Sequence, residues 1–130
     1  MARARNIKPG FYKNEDLAEC SPWARLLFPG LWMLADREGR LEDRPKRIKG
    51  EVFPFDSVEV GPLLAELEQW KFIIRYQVDG KFYIQITAFS RHQRPHSREK
   101  DSEIPPPEAY QPPALEDHDE TQGDAKAQPR

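Results

Sequence analysis

Residues 72–87 read FIIRYQVDGKFYIQIT, two runs of alternating side chains on either side of Asp79-Gly80. An Asp-Gly pair between such runs is the strongest short-range signal for a β-hairpin, because both central residues of a type I′ turn need positive φ. A two-residue loop also fixes the register. Val78 must face Lys81, Tyr76 must face Tyr83 and Ile73 must face Ile86. Cross-strand partners share a face, so Ile73, Phe82, Ile84 and Ile86 gather on one side with Arg75 and Gln77. Tyr76, Tyr83, Lys81 and Gln85 lie on the other. The first side is predicted to meet the core.

Upstream of the hairpin the period changes from two to that of a helix. Val60, Leu63, Leu64, Leu67 and Trp70 share one helical face, opposite Glu59, Pro62, Glu66 and Gln69. Asp56 or Ser57 is the expected cap. Before it, Asp43 is expected to cap a helix over 44–53 that Phe53-Pro54 stops. Pro45, Ile48 and Val52 point inward on that helix, Lys46, Arg47 and Gly50 point away, and Arg44 and Lys49 flank them. Arg40-Leu41-Glu42 reads as a short strand. Ser21-Pro22 is an N-cap followed by proline at N1, and it opens a helix over 22–36. Trp23, Leu27, Leu31 and Leu34 line one face there, and Leu26, Phe28 and Trp32 fill most of the rest. A helix apolar nearly all round belongs at the centre of a core. Pro29-Gly30 is expected to kink or split it, since an internal proline costs about 3 kcal/mol. Asn14 is expected to cap a short helix ahead of these elements.

Helix, short strand, basic helix, helix and hairpin is the order of a winged helix. The expected class is therefore α+β: a helix-turn-helix followed by a C-terminal β-hairpin wing. With 130 residues the chain has room for one domain. Residues 1–12 read as a basic arm, 13–96 as the winged-helix domain and 97–130 as a disordered acidic, Pro-rich tail. Residues 1–100 hold 18 Lys and Arg against 14 Asp and Glu, a net of +4. Residues 101–130 hold 2 against 8, a net of −6. Large apolar side chains nearly vanish after residue 96, and such a segment buries too little surface to offset its ordering entropy. Cys20 is the single cysteine, so no intrachain disulfide can form, in keeping with a reducing interior. No apolar run is long enough to span a bilayer, and no apolar stretch follows the basic N-terminus as in a secretory signal.

Several of these stretches resemble one family. They are ARNIKP at 4–9, LWMLADREGRLEDRPKRIK at 31–49, RYQVDG at 75–80, YIQI at 83–86 and HQRPH at 92–96. Together they are similar to the N-terminal domain of bacteriophage replication proteins of the replisome-organiser or helicase-loader type, over about residues 3–107. The resemblance implies a phage or prophage origin, a winged-helix fold and a role at DNA. Longer members of that family continue into a second, partner-binding domain, and Pro29 stands where an aliphatic residue is expected.

Candidate site residues follow from charge and ring placement. Arg44, Lys46, Arg47 and Lys49 put four cations in six residues, with Arg37 and Arg40 just before them. Such clustering suits phosphate contact, because each contact releases a condensed counterion; the alternative is a solvated helix face partnered by Glu42, Asp43 and Glu51. On the wing, Tyr76 and Tyr83 beside Lys81 could stack on unpaired bases, or simply pair across the strands. Arg3, Arg5 and Lys8 are spaced like a minor-groove arm, or belong to a frayed terminus. Arg91 and Arg94, with Arg98 and Lys100, form a second basic strip. His92 and His96 are too few for a zinc site, so no metal is expected. No catalytic set and no cofactor motif emerge, and Cys20 reads as a packing residue.

In a typical winged helix the third helix enters the major groove, but Glu59, Glu66 and Glu68 on this one repel phosphate. Either the second helix leads, or the acidic face binds a protein. The expectation is a non-enzymatic, phage-encoded module in the host cytoplasm that binds duplex or partly opened DNA, mainly through phosphates. Its rivals are a protein-interaction module docking a replication factor through Glu59, Glu66, Glu68 or the tail, as adaptor or inhibitor, and a phage transcription regulator.

Overall fold

The computed structural model describes residues 2–108 apart from Arg94, His96, Ser97 and the side chain of His92. The chain is mixed α+β. Its elements are α1 (Gly10–Lys13), a 3-10 turn (Leu17–Glu19), α2 (Pro22–Leu34), β1 (Arg40–Glu42), α3 (Pro45–Val52), α4 (Val60–Gln69), β2 (Ile73–Val78), β3 (Lys81–Ile86) and α5 (Phe89–His92). The three strands form one antiparallel sheet in the order β1-β3-β2.

The hairpin takes the expected register at every pair from Ile73–Ile86 to Val78–Lys81. Asp79 and Gly80 both have positive φ, 52° and 81°, as a type I′ turn requires. β1 adds to the free side of β3, with Leu41 opposite Ile84. This puts Leu41 on the same face as Ile73, Ile84 and Ile86, and all four are buried in the core against α2, α3 and α4. Phe82, expected on that core face, is 57% exposed because it lies at the hairpin tip, beyond the helices.

Ser21 caps α2 as expected: its Oγ accepts from the Ala24 amide, and Pro22 occupies N1. Pro29 does not split the helix: α2 is one element from Pro22 to Leu34 with the proline inside it. Leu27 and Phe28 before the proline and Gly30, Leu31 and Trp32 after it are all buried in one core. That shared burial outweighs one lost helical hydrogen bond. Gly30 also lets α3 come close, since a Cβ there would stand 2.7 Å from Val52 Cγ1. The expectation that α2 is buried all round fails at Trp23, Leu26 and Met33, which are exposed.

Two expected caps are replaced. Asp43 does not cap α3; its carboxylate takes a bidentate pair from Arg75, at 2.6 and 3.1 Å. Neither Asp56 nor Ser57 caps α4, which starts later, at Val60 with Glu59 before it. Asn14 Oδ1 accepts from the Leu17 amide and so caps the 3-10 turn. α4 ends in a Schellman turn: Lys71 takes positive φ and the Phe72 amide reaches back to the Leu67 carbonyl at 2.9 Å.

The boundary expected at residue 97 is also displaced. Residues 98–108 cross the second face of the sheet, the one carrying Arg40, Tyr76, Tyr83 and Gln85, and are held there by hydrogen bonds described below. Gln85 is consequently only 1% exposed. Its side chain accepts from Arg40 Nε at 2.8 Å and donates to the Glu38 carbonyl at 2.8 Å. Composition suggested that this stretch had too little apolar surface to order. It orders through side-chain donors of the body. Residues 109–130, the remainder of the expected tail, lie outside the described residues.

Candidate nucleic-acid interface

α3 is the outward-facing basic element. Its amphipathic pattern leaves one choice: Ile48 is buried against the core, and Val52 packs beside it, so Lys46 and Arg47 must face outward. The Arg44 and Arg47 side chains are 56% and 64% exposed, each with a long contact to Glu42 Oε1, at 3.6 and 3.7 Å. Surface pairs of that kind hold little energy, so both guanidiniums can be recruited by a stronger anion. Lys46 is exposed and carries no ion pair among the described residues. Lys49 is different. Its Nζ donates to the Asp56 carbonyl at 2.7 Å and the Phe53 carbonyl at 3.4 Å, which ties down the chain leaving α3.

The N-terminal arm is neither frayed nor free. The Arg3 amide donates to the Met33 carbonyl, and its Nη1 reaches the Ala35 carbonyl at 2.6 Å. Arg5 donates to the Trp32 and Ala35 carbonyls at 3.0 and 3.1 Å and grips Glu99 with both Nη atoms, at 2.8 and 3.1 Å. Its guanidinium also lies over the Phe89 ring, 5.1 Å from the centroid. These contacts satisfy orphan carbonyls at the C-terminus of α2, where the helix dipole favours a cation. With its side chain 4% exposed, Arg5 is a structural clip, and the minor-groove role expected of it is withdrawn. Gln93 fixes the next residue by exchanging two hydrogen bonds with the Asn6 backbone.

The hairpin residues split in the same way. Lys81 is exposed at the tip. Tyr83 is buried and Tyr76 half-buried, their rings 5.7 Å apart, beneath residues 98–108. Tyr76 Oη donates to the Pro105 carbonyl at 2.6 Å, and burial pushes its phenol up to about 12. Arg40 donates to Gln85 and, at 3.1 Å, to the Ile104 carbonyl. Arg40, Tyr76 and Tyr83 are thus covered, where an open surface was expected. Arg91 is half-buried on α5, and Arg94 lies outside the described residues.

The three glutamates are not equivalent either. Glu66 turns back onto the N-terminus of α2, accepting from the Ser21 amide at 2.6 Å and from Ser21 Oγ at 3.0 Å. Glu68 accepts from the Arg75 amide on the outer edge of β2 at 3.2 Å. Glu59 is exposed. Cys20 is buried near Glu66, and burial, reinforced by that carboxylate, raises its thiol to about 11. Among the described residues no group of acidic, histidine or cysteine side chains is arranged to hold a metal ion, and no helix is long and apolar enough to cross a membrane.

Sequence could not reveal the covering of the sheet, since the acceptors for Arg37, Arg40 and Tyr76 are backbone carbonyls that leave no signature in residue type. No family model matches the chain, and no characterised protein or solved structure matches it either.

Proposed function

We propose that the chain is a winged-helix DNA-binding module of a phage replication protein, of the replisome-organiser or helicase-loader type, acting in the host cytoplasm and contacting DNA mainly through phosphates. The β1-β3-β2 order, with α2 before β1 and with α3 and α4 between β1 and the hairpin, supports the fold assignment. The observation that carries the function is the outward basic face of α3. Arg44, Lys46 and Arg47 stand in solvent with only weak partners among the described residues, and Arg44 and Arg47 border a cleft of about 680 Å³ whose walls mix cations with carboxylates, Glu42 and Glu51 among them. Lys81 at the hairpin tip is a further exposed cation.

Three to four cations imply that log K falls with log salt at a slope of about −3 to −4 on duplex DNA. Gel shifts on duplex, forked and single-stranded DNA across salt test this. Replacing Lys46 and Arg47 with alanine should flatten the slope by nearly two and weaken all sequences alike, as positioning contacts do. An unchanged slope would refute the assignment.

A protein-interaction reading is favoured by one observation, the apolar side chains left in solvent: Phe55 is 97% exposed, with Leu26 and Phe82 also exposed. On that reading DNA binding is negligible at physiological salt, and charge reversal of Glu59 and Glu68 abolishes capture of a replication factor. Glu66 is left out of that test because it holds α2.

A further inference from the structure

Residues 98–108 form a strap held mainly by donors of the body reaching strap acceptors. Arg5 and Arg3 hold the Glu99 carboxylate, with Arg3 at 3.5 Å. Arg37 Nη1 reaches the Glu99 carbonyl at 3.0 Å, Arg40 Nη1 the Ile104 carbonyl at 3.1 Å, and Tyr76 Oη the Pro105 carbonyl at 2.6 Å. Ser102 closes the middle of the strap by donating to the Asp36 carboxylate and accepting from the Ile104 amide at 3.2 Å. Beyond these anchors, Asp101 and Glu103 line the same cleft as Arg44 and Arg47 of α3. The strap is one extended acidic chain, with Glu99, Asp101, Glu103 and Glu108 against Arg98 and Lys100. The surface beneath it carries guanidiniums and a pair of tyrosine rings around Gln85, with one carboxylate, Asp36, at the Ser102 contact.

That surface has the chemistry of a single-stranded polyanion site. Guanidinium forks suit phosphate oxygens. Ring faces suit unpaired bases, whereas the bases of a duplex are already stacked on each other. The width covered is that of one chain. We propose that the sheet face bearing Arg40, Tyr76 and Tyr83, with Arg37 in the turn before β1, is a second site, for single-stranded DNA, and that the strap occupies it as an intramolecular competitor. This rests on the DNA-binding reading above and adds a switch to it: α3 engages phosphates of the duplex, and an opened strand displaces the strap.

The experiment uses the full chain and an oligothymidylate strand, with a duplex in parallel. Two uncharged changes loosen the strap. Tyr76→Phe removes the donor to Pro105 and keeps the ring. Ser102→Ala removes the Asp36 and Ile104 bonds from the strap side. Each lost hydrogen bond should raise the strap-free fraction and tighten oligothymidylate binding by about two- to tenfold, with duplex affinity moving less. Saturating oligothymidylate should also accelerate amide hydrogen exchange across residues 99–105. Wild-type affinity in both variants, with exchange unmoved by the strand, would mean the strap is structural and the proposal fails. Retained duplex binding without any oligothymidylate binding would overturn the second site and leave the duplex reading standing. Loss of binding to every DNA form, in wild type and variants alike, would remove both. Acceleration of strap exchange by a synthetic peptide of residues 98–108, but not by oligothymidylate, would reassign the face to acidic peptides and overturn the proposal.

Discussion

Arg5 and Arg47 are the same side chain put to opposite uses. Arg5 is 4% exposed and donates to two helix-end carbonyls and a carboxylate, whereas Arg47 is 64% exposed and, among the described residues, pairs with one distant glutamate oxygen. Both belong to short basic runs that look alike in sequence. The difference lies in what the backbone allows. α3 buries Ile48, and 3.6 residues per turn then dictate that Arg47 points out. Residues 2–8 are extended and can lie along any surface that offers acceptors. They lie at the C-terminus of α2, where carbonyls without helical partners are concentrated. A cation on an amphipathic helix has its direction set by the apolar face. A cation on an extended arm has its direction set by the nearest orphan acceptor.

Exchanging each arginine for alanine is the sharpest way to break this comparison. Arg5→Ala leaves Glu99 and two carbonyls without their buried partner, and breaking a buried charge pair from one side costs about 3–5 kcal/mol. A melting curve should shift down by many degrees. Lys46→Ala with Arg47→Ala removes exposed cations, for which stability changes stay within about 0.5 kcal/mol, while DNA affinity falls by about tenfold or more at moderate salt. If Arg5→Ala melts like wild type, or if the α3 pair destabilises the fold, the division between clip and contact is wrong.

How much of this was legible in the sequence follows the same division. The hairpin register, the Ser21 cap, the burial of Trp32 and Leu67 and the outward side of α3 were all readable, because each is dictated locally by turn chemistry or periodicity. The clip made by Arg5, the Asp43–Arg75 pair and the strap over Tyr76 were not, because each joins residues 27 or more positions apart, and the clip and the strap do so through main-chain oxygens. Composition alone assigned 98–108 to the tail for the same reason. Two carboxylates, Glu99 and Asp43, could have hinted at the outcome, as each has a surplus of arginines to choose from.

The acidic face of α4 repeats the comparison on a smaller scale. Glu66 accepts two hydrogen bonds at the start of α2, and Glu59 stands in solvent. Glu66→Ala should cost about 1–2 kcal/mol, the range for losing a helix-start acceptor, and Glu59→Ala should change thermal stability by less than about 0.5 kcal/mol. Chemical denaturation of the two variants checks this. Equal effects would place both glutamates on the same footing and restore Glu66 to the candidate partner surface.

The smallest effect is silent at neutral pH. Tyr76 and Lys81 sit on the same face of one hairpin, one beneath the strap and the other beyond it. Burial raises the Tyr76 phenol from an ordinary 10 to about 12. The Asp36 and Tyr83 charges add to the shift, and Arg40 opposes it. The raised value means that the folded chain keeps a proton which the unfolded chain has already released. Stability from this group is therefore complete below about pH 10 and is lost as pH climbs from about 10 to 12. A phenolate absorbance titration should contain a late step near 12 that Tyr76→Phe removes. Ser102→Ala, which loosens the strap without touching the ring, should move the step toward 10, because water returns to the phenol. If the late step persists unchanged in Ser102→Ala, the sheet and not the strap buries Tyr76. The hairpin face would then stay covered whatever becomes of residues 98–108.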